Sequence, residues 1–460
     1  MFEPVIAAQD VIDVKLVHTL TPAAAETFLA DRPSARALAQ ISGFTGKSGQ
    51  VLVLPGESGV ESVLFGIGDG PADPMACRAL AAKLPPGDYA FAPGFGDFDS
   101  ALAFALGSYR FDRYRSRPEE EAWPRLLAPA GVDLARLNAV AHACVLARDM
   151  INTPANDLGP LQIETIAREI GQAYGAKVSC VVGEALLDAN YPAVHAVGRA
   201  AHPTRSPRMI ELEWGDASHP TLALVGKGVV FDTGGLDIKS SAGMRLMKKD
   251  MGGAAHALAL GRMVMALNIP VHLVVLVPAV ENAISGDAMR PGDVLSSRKG
   301  LTIEVGNTDA EGRLILADAL TRAAEFDPVL TLDLATLTGA ARMAVGPQIV
   351  PFWTADDGLA AEIAAAGITQ SDPLWRLPLW AGYEGALDSD IADLKNDPDA
   401  WAQAGSVTAA LFLQRFAPAS GSWAHFDIFG WNPKAGPGRP SGAEAQAIRA
   451  LLAVIERRFS

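Results

Sequence analysis

Apolar residues in this chain fall in short dense runs, separated by amphipathic or alanine-rich stretches, and the alternation predicts strands and helices in turn. VLVLPG at 51–56 and SVLFGIGDG at 62–70 are apolar runs closed by glycine or proline, the pattern of buried strands. PMACRALAAKL and SALAFALGSYRF read as helices beside them, which predicts a small N-terminal α/β domain over residues 1–140. RYRSRPEEEAWPRLLAP, 113–129, is charged, holds prolines and lacks apolar periodicity, so it predicts the inter-domain connection. LNAVAHACVLARDMINT predicts a helix leading into a larger domain over 141–460. There AKVSCVVG, RMIELEW, TLALVGKGVVFD, VHLVVLVPAV, LTIEVG, VLTLDLATL and WAHFDIF predict strands, while IETIAREIGQAYG, AAHALALGRMVMAL, LADALTRAAEF and SVTAALFLQRF predict helices. Continuous Val/Ile/Leu strands alternating with helices predict a mostly parallel central sheet flanked by helices, a two-domain α/β fold. In such sheets, ligands collect beyond the carboxyl ends of the strands.

The chain has 460 residues, 49% of them hydrophobic, enough for a large core in each of two domains. Its formal net charge of −14, with no dense Lys/Arg run, argues against nucleic acid or an anionic membrane as partner. Cys77, Cys144 and Cys180 are widely spaced and odd in number, which predicts buried thiols in a reducing compartment instead of a disulfide framework. MFEPVIAAQD carries Glu3 and no basic segment before an apolar run, unlike a signal peptide, and VHLVVLVPAV is too short to span a bilayer and is interrupted by Pro278. A soluble cytoplasmic protein is the expectation.

Three segments that end apolar runs carry the chemistry. VGKGVVFDTGGLDIK, 225–239, sets Lys227, Asp232 and Lys239 among glycines. A phosphate cradle of the GxxxxGK[ST] type is absent, so this cluster reads on its own as a tight turn. MKKDMGGAAH, 247–256, places Asp250 before a glycine pair and a helix, where alone it reads as a helix N-cap. NTDAEGRL, 307–314, sets Asp309, Glu311 and Arg313 at every second position. Locally, Thr308 and Glu311 fit a capping box. The alternative is an extended segment, in which a period of two puts all three charges on one face. Asp232, Asp250, Asp309 and Glu311 at one sheet edge would repel strongly unless cations neutralise them; two divalent ions would, and an oxygen-rich site suits Zn, Mn, Mg or Co. No HExxH occurs, and His256 and His425 lie in apolar patterns, as core histidines do.

GKGVVFDTGGLDIK, MKKDMGGAA and NTDAEGRL together resemble the leucyl aminopeptidases, the di-zinc M17 peptidase family. So do NTPAND at 152–157, LATLTGA at 334–340, SDIADLKN at 389–396, GSVTAALFLQRF at 405–416 and WAHFDI at 423–428. The likeness runs in order through roughly residues 150–435; Thr233 stands where the family more often has Ser, and Ser240 where Pro often follows the lysine.

The resemblance implies a metal-dependent aminopeptidase. Lys227, Asp232, Asp250, Asp309 and Glu311 would hold two divalent ions (Zn²⁺ or Mn²⁺), with Asp232 and Glu311 bridging. Lys239 would stabilise the oxyanion, and Arg313 would hold a bicarbonate acting as general base toward a metal-bridging water. Met247, Thr336 and Gly339 would line the pocket for the first side chain, while the backbone of Leu337 and Gly339 bonds the substrate main chain. Peptides with a free N-terminus, Leu-like preference of broad range and a homohexamer follow from the same likeness. The first domain would serve oligomer contacts or access. Two other readings stand beside it: a regulatory or nucleic-acid-binding protein that keeps the peptidase fold, and a di-metal phosphoesterase using Arg313 for substrate phosphate.

Overall fold

A computed structural model describes residues 3–7, 13–57, 59–70, 73–116, 122–398 and 403–459, and every count below refers to these. The chain divides into two compact units, Met1–Val145 with Asn432–Gly442, and Leu146–Trp431 with Ala443–Ser460.

The first unit is built on a six-stranded sheet in the order Val5–Ile6, Pro124–Leu127, Gly87–Phe91, Val14–Leu20, Gly59–Gly66, Val51–Gly56. All neighbours run parallel except the last pair, a hairpin. Leu52, Leu54 and Leu64 pack with Phe44, Ala25, Leu29 and Ala39 from the helices Pro22–Ala30 and Pro33–Ser42 and the turn after them. The expected connection at 113–129 needs correcting, because Pro124–Leu127 is a strand of this sheet, with Leu126 fully buried. Charge and proline hid a four-residue strand, and residues 117–121 of that stretch lie outside the described residues. The division between units falls instead within the helix Leu134–Asn152.

The second unit holds a nine-stranded sheet: Leu374–Arg376, Val350–Trp353, Ser422–Asp427, Leu330–Ala335, Thr221–Gly226, His272–Asn282, Arg208–Trp214 and Lys177–Val182, with Gly228–Asp232 also paired to His272–Asn282. The four central strands are parallel, in registers such as Leu332↔Leu224 and Leu276↔Val225. Leu330–Ala335 is buried at every position, as a strand covered on both faces must be. The helix Gly252–Ala266 packs on this sheet with Ile448–Phe459, and Glu311–Ala324 packs on it with Pro192–Gly198 and Gly405–Gln414.

Thr302–Glu304, from the predicted strand LTIEVG, does not join the large sheet. It pairs with Val294–Ser296 and Leu394–Lys395 in a separate three-stranded sheet. The two histidines are core residues. His256 is fully buried, with Nδ1 2.6 Å from Gly252 O and Nε2 accepting from Gln446 N at 3.0 Å. His425 Nδ1 lies 2.5 Å from Asp333 Oδ1, whose other oxygen accepts from Trp423 Nε1 at 2.7 Å. No helix among the described residues is long and apolar enough to cross a membrane.

Candidate metal centre

Lys227 occupies the break between the strands Thr221–Gly226 and Gly228–Asp232, which the sequence reads as one run. Its N–H donates to Leu334 O at 3.0 Å and its carbonyl accepts from Ala254 N at 2.8 Å, so the backbone is pinned between a strand and a helix start. That approach requires Gly253, since a Cβ there would lie 2.1 Å from Leu334 O. The lysine stem then runs past Gly312, where a Cβ would stand 2.7 Å from Lys227 Cε and 2.8 Å from Nζ. The glycine of NTDAEGRL thus makes room for a side chain 85 residues earlier in the chain.

Lys227 Nζ ends 2.7 Å from Asp250 Oδ2, 2.9 Å from Glu311 Oε1 and 3.1 Å from Thr336 O, all of them buried. Lys239 Nζ lies 2.8 Å from Asp232 Oδ2 and pairs closely with Asp309 Oδ1. Asp232, at its strand's carboxyl end, accepts on Oδ1 from Asn282 Nδ2 at 2.8 Å and Gly234 N at 2.9 Å. Asp232, Asp309 and Glu311 offer oxygens that lie within 4.8 Å of one another. Two elements carry the remaining positions. Asp250 follows the turn Met247–Lys249, and Thr336 follows the strand Leu330–Ala335.

The expected N-cap role of Asp250 is not found: Met251 is the N-cap residue, and the Asp250 side chain instead accepts from Thr336 Oγ1 at 2.8 Å. Nor is NTDAEGRL extended across its charges. The helix Glu311–Ala324 begins inside the octet, with Ala310 at the N-cap and no side-chain cap bond. Asp309 lies in the preceding turn, and Glu311 and Arg313 are in the first helical turn. Thr308 is not half of a capping box; its hydroxyl donates to Gly234 O at 2.6 Å and accepts from Asp237 N at 2.8 Å, tying the octet to the glycine loop. Turn and helix start, not strand alternation, aim the carboxylates.

Burial and the Asp232 carboxylate push Glu311 up to about 8, and the same two causes push Asp309 up to about 6. Burial alone would lower Lys227, yet Asp250, Glu311 and Asp232 hold it above the ordinary lysine value; Asp232 and Asp309 do the same for Lys239. Glu311 Oε2 is buried without a hydrogen-bond donor among the described residues. Acceptor-only groups crowded at this density, one with an orphaned oxygen, fit divalent cations.

These residues line a cavity of about 610 Å³, which also includes Arg313, Met247, Leu337 and Gly339. Arg313 is buried; Nη1 donates to Asn396 O and Asp397 lies 3.9 Å away. The Leu337 N–H is already committed to Asp427 Oδ1 at 2.9 Å, which leaves the carbonyl as the main-chain group Leu337 can offer. Gly339 opens the helix Gly339–Val345, with nothing within 4 Å of where its Cβ would be. Three contributors escaped individual notice in the sequence. Asn282 holds Asp232, Asn396 holds the octet through Gly306 N at 2.8 Å and Asn307 O at 2.8 Å, and Asp427 holds the Leu337–Thr338 turn. Asn396 and Asp427 lie in SDIADLKN and WAHFDI, so the signal was present as motif but not as role. Lys249 also lines the cavity, and burial brings it down to about 8.

The family model described as the cytosol aminopeptidase family, catalytic domain, matches residues 145–452, and that of the M17 aminopeptidase N-terminal domain matches residues 17–129. A "Probable cytosol aminopeptidase" of Stenotrophomonas maltophilia (strain K279a) is 37% identical over 93% of this chain and 93% of its own length. The crystal structure of a cytosol aminopeptidase from Coxiella burnetii superposes with a TM-score of 0.92 at 41% identity, covering 99% of each chain. The bottromycin maturation enzyme BotP, solved in complex with Mn, gives 0.86 at 34% identity, covering 98% of this chain and 100% of its own. With two domain models matched in order and relatives similar over nearly the whole length, the chain belongs to the cytosol aminopeptidase (M17) family and is a hydrolase of the leucyl aminopeptidase type.

Proposed function

We propose that this aminopeptidase works with two divalent metal ions held by Lys227, Asp232, Asp250, Asp309 and Glu311, and that it prefers Leu-like first residues within a broad range. The observation that carries the reading is the convergence of four carboxylates in one cavity, with an orphaned Glu311 oxygen and two lysines in ion-pair contact with the group. Bound there, the ions would supply Lewis acidity toward the scissile carbonyl and an activated water. Manganese or zinc fits this donor set, and the Mn complex of BotP supports the former.

The chain's own residues supply the rest. Lys239, held charged by Asp232 and Asp309, stabilises the negative oxygen that develops on the carbonyl. Lys227 would have to give up a proton to serve as a ligand, so metal uptake would release protons. Arg313, buried at the cavity wall, would hold a bicarbonate, which would supply a general base. The Leu337 carbonyl and the Gly339 N–H orient the peptide main chain, while Met247 and Thr336 border the first side chain. One methylene in such a pocket is worth about 1–3 kcal/mol, which gives preference without strict selection. The proposal extends to a cytoplasmic homohexamer, with residues 1–140 serving oligomer contacts or access; light scattering would test the assembly.

The free-amine requirement separates this reading from the phosphoesterase and binding-protein alternatives. Leucine p-nitroanilide should be cleaved by the Mn²⁺-loaded protein and N-acetyl-leucine p-nitroanilide should not. Turnover of p-nitrophenyl phosphate with no anilide hydrolysis would support the phosphoesterase instead.

A further inference from the structure

Lys249 takes no part in the roles above, yet it closes the turn Met247–Lys249 and lines the same cavity as Met247, Thr336 and Gly339. The side chain is only 6% exposed. Among the described residues its ammonium makes no hydrogen bond or ion pair, because the two carboxylates nearest in charge are engaged elsewhere. Asp250 is held by Lys227 at 2.7 Å and Thr336 Oγ1 at 2.8 Å. Asp427 is held by Leu337 N at 2.9 Å and Thr338 Oγ1 at 2.6 Å. What Lys249 has instead is the ring of Phe429, 5.1 Å from Nζ to centroid, and that ring already carries the Arg342 guanidinium at 4.9 Å.

An aromatic face compensates a buried cation only in part, and it satisfies none of the three N–H donors. A buried ammonium with unspent donors at the wall of a substrate cavity calls for an acceptor that arrives with the ligand. Met247 and Phe429 line the same cavity, and Phe429 lies under the Lys249 ammonium, so this apolar pair would take the methylene stem of a side chain whose carboxylate meets Lys249.

We propose that Lys249 is a specificity-determining residue of the first-side-chain pocket, and that it receives the side-chain carboxylate of an N-terminal glutamate or aspartate. This rests on the aminopeptidase reading and deepens it, adding acidic first residues to the Leu-like ones that the apolar wall accepts.

The test compares kcat/KM of the full-length, Mn²⁺-loaded protein for the α-p-nitroanilides of glutamate, glutamine and leucine. Glutamate and glutamine have the same shape, so the wild-type ratio isolates the charge, and it should favour glutamate by about tenfold or more. Lys249→Met should bring that ratio to one or below, with far-ultraviolet circular dichroism and bound Mn²⁺ per chain as the measures of folding and metal loading, and Lys249→Arg should keep glutamate ahead. A readout without turnover runs beside it: L-glutamate should raise the Tm of the metal-loaded protein more than L-glutamine does. A wild-type protein that cleaves glutamine anilide as well as glutamate anilide would overturn the proposal, as would a Lys249→Met ratio equal to wild type. If Lys249→Met fails to fold, the wild-type ratio and the thermal shift decide. If no anilide were cleaved, the aminopeptidase reading would fall, and the glutamate-over-glutamine shift would still judge the pocket.

Discussion

Lys227 Nζ stands 2.7 Å from the carboxylate of Asp250, both side chains buried, although one residue breaks a strand and the other follows a turn 23 residues later. The lysine therefore balances charge in the metal-free protein. Removing one partner of a buried pair leaves the other charge uncompensated and costs roughly 3–5 kcal/mol. Lys227→Met should lower the urea stability of the metal-free protein by about that much, and adding Glu311→Gln should recover part of the loss. A Lys227→Met protein as stable as wild type would show that the pair is not what holds the empty site together.

Gly312 is the second test of the same contact. A methyl at this position would lie within 2.8 Å of three atoms of the Lys227 side chain. The side chain can move, so the fold should survive Gly312→Ala, but Lys227 would leave its place beside Asp250 and Glu311. The expected result is a far-ultraviolet spectrum like wild type and kcat/KM lower by about tenfold or more, since small displacements of positioned groups are costly in catalysis.

Asp318 carries a pH dependence away from the metal centre. It is fully buried, its oxygens accept from Ala193 N at 2.9 Å, Val194 N at 3.1 Å and Arg298 N at 2.8 Å, and burial outweighs those donors to push it up to about 7. The unfolded value is about 3.9, so the folded state binds more protons between about pH 4 and pH 7. This contribution to stability is complete below pH 4 and is lost as pH rises through 7. Asp318→Asn should be less stable than wild type by roughly 1–3 kcal/mol, because its amide faces N–H donors, yet flatter in stability from pH 5 to 8. Urea midpoints at four pH values decide this; equal slopes for the two proteins would remove Asp318 as the source.

Metal uptake should also depend on pH. Glu311 sits up to about 8 without metal, and a ligand carboxylate must be deprotonated. Titration calorimetry in buffers of different ionisation enthalpy should therefore show protons released on Mn²⁺ binding and weaker binding at pH 6 than at pH 8. Binding without proton release would mean that Lys227 and Glu311 are not both ligands.

How much of this was legible beforehand varied with how local the determinant was. The strand Leu330–Ala335 was readable because burial on both faces leaves a nearly continuous apolar run, and Val51–Gly56, buried only at alternate positions, because Pro and Gly close a short apolar run. The break at Lys227 was not, since it depends on Leu334 O taking the lysine N–H from a strand more than a hundred residues away. Asp250 and Thr308 each matched a capping pattern and do something else, because tertiary partners, Thr336 and the Gly234–Asp237 loop, outbid the local helix end. Lys249 carries no signal of its own in MKKDMGGAAH; only the fold buries it against Phe429. The carboxylates themselves were legible as a group, because four acids at predicted strand ends or helix starts call for cations wherever the details of the turns fall.

Hydrolysis of leucine p-nitroanilide by purified protein, before chelation, after chelation and after Mn²⁺ or Zn²⁺ is restored, with Glu311→Ala alongside, tests the central claim most directly. The account expects activity that chelation abolishes, that metal restores in wild type, and that metal does not restore in Glu311→Ala. Full activity after exhaustive chelation, or in Glu311→Ala, would contradict it.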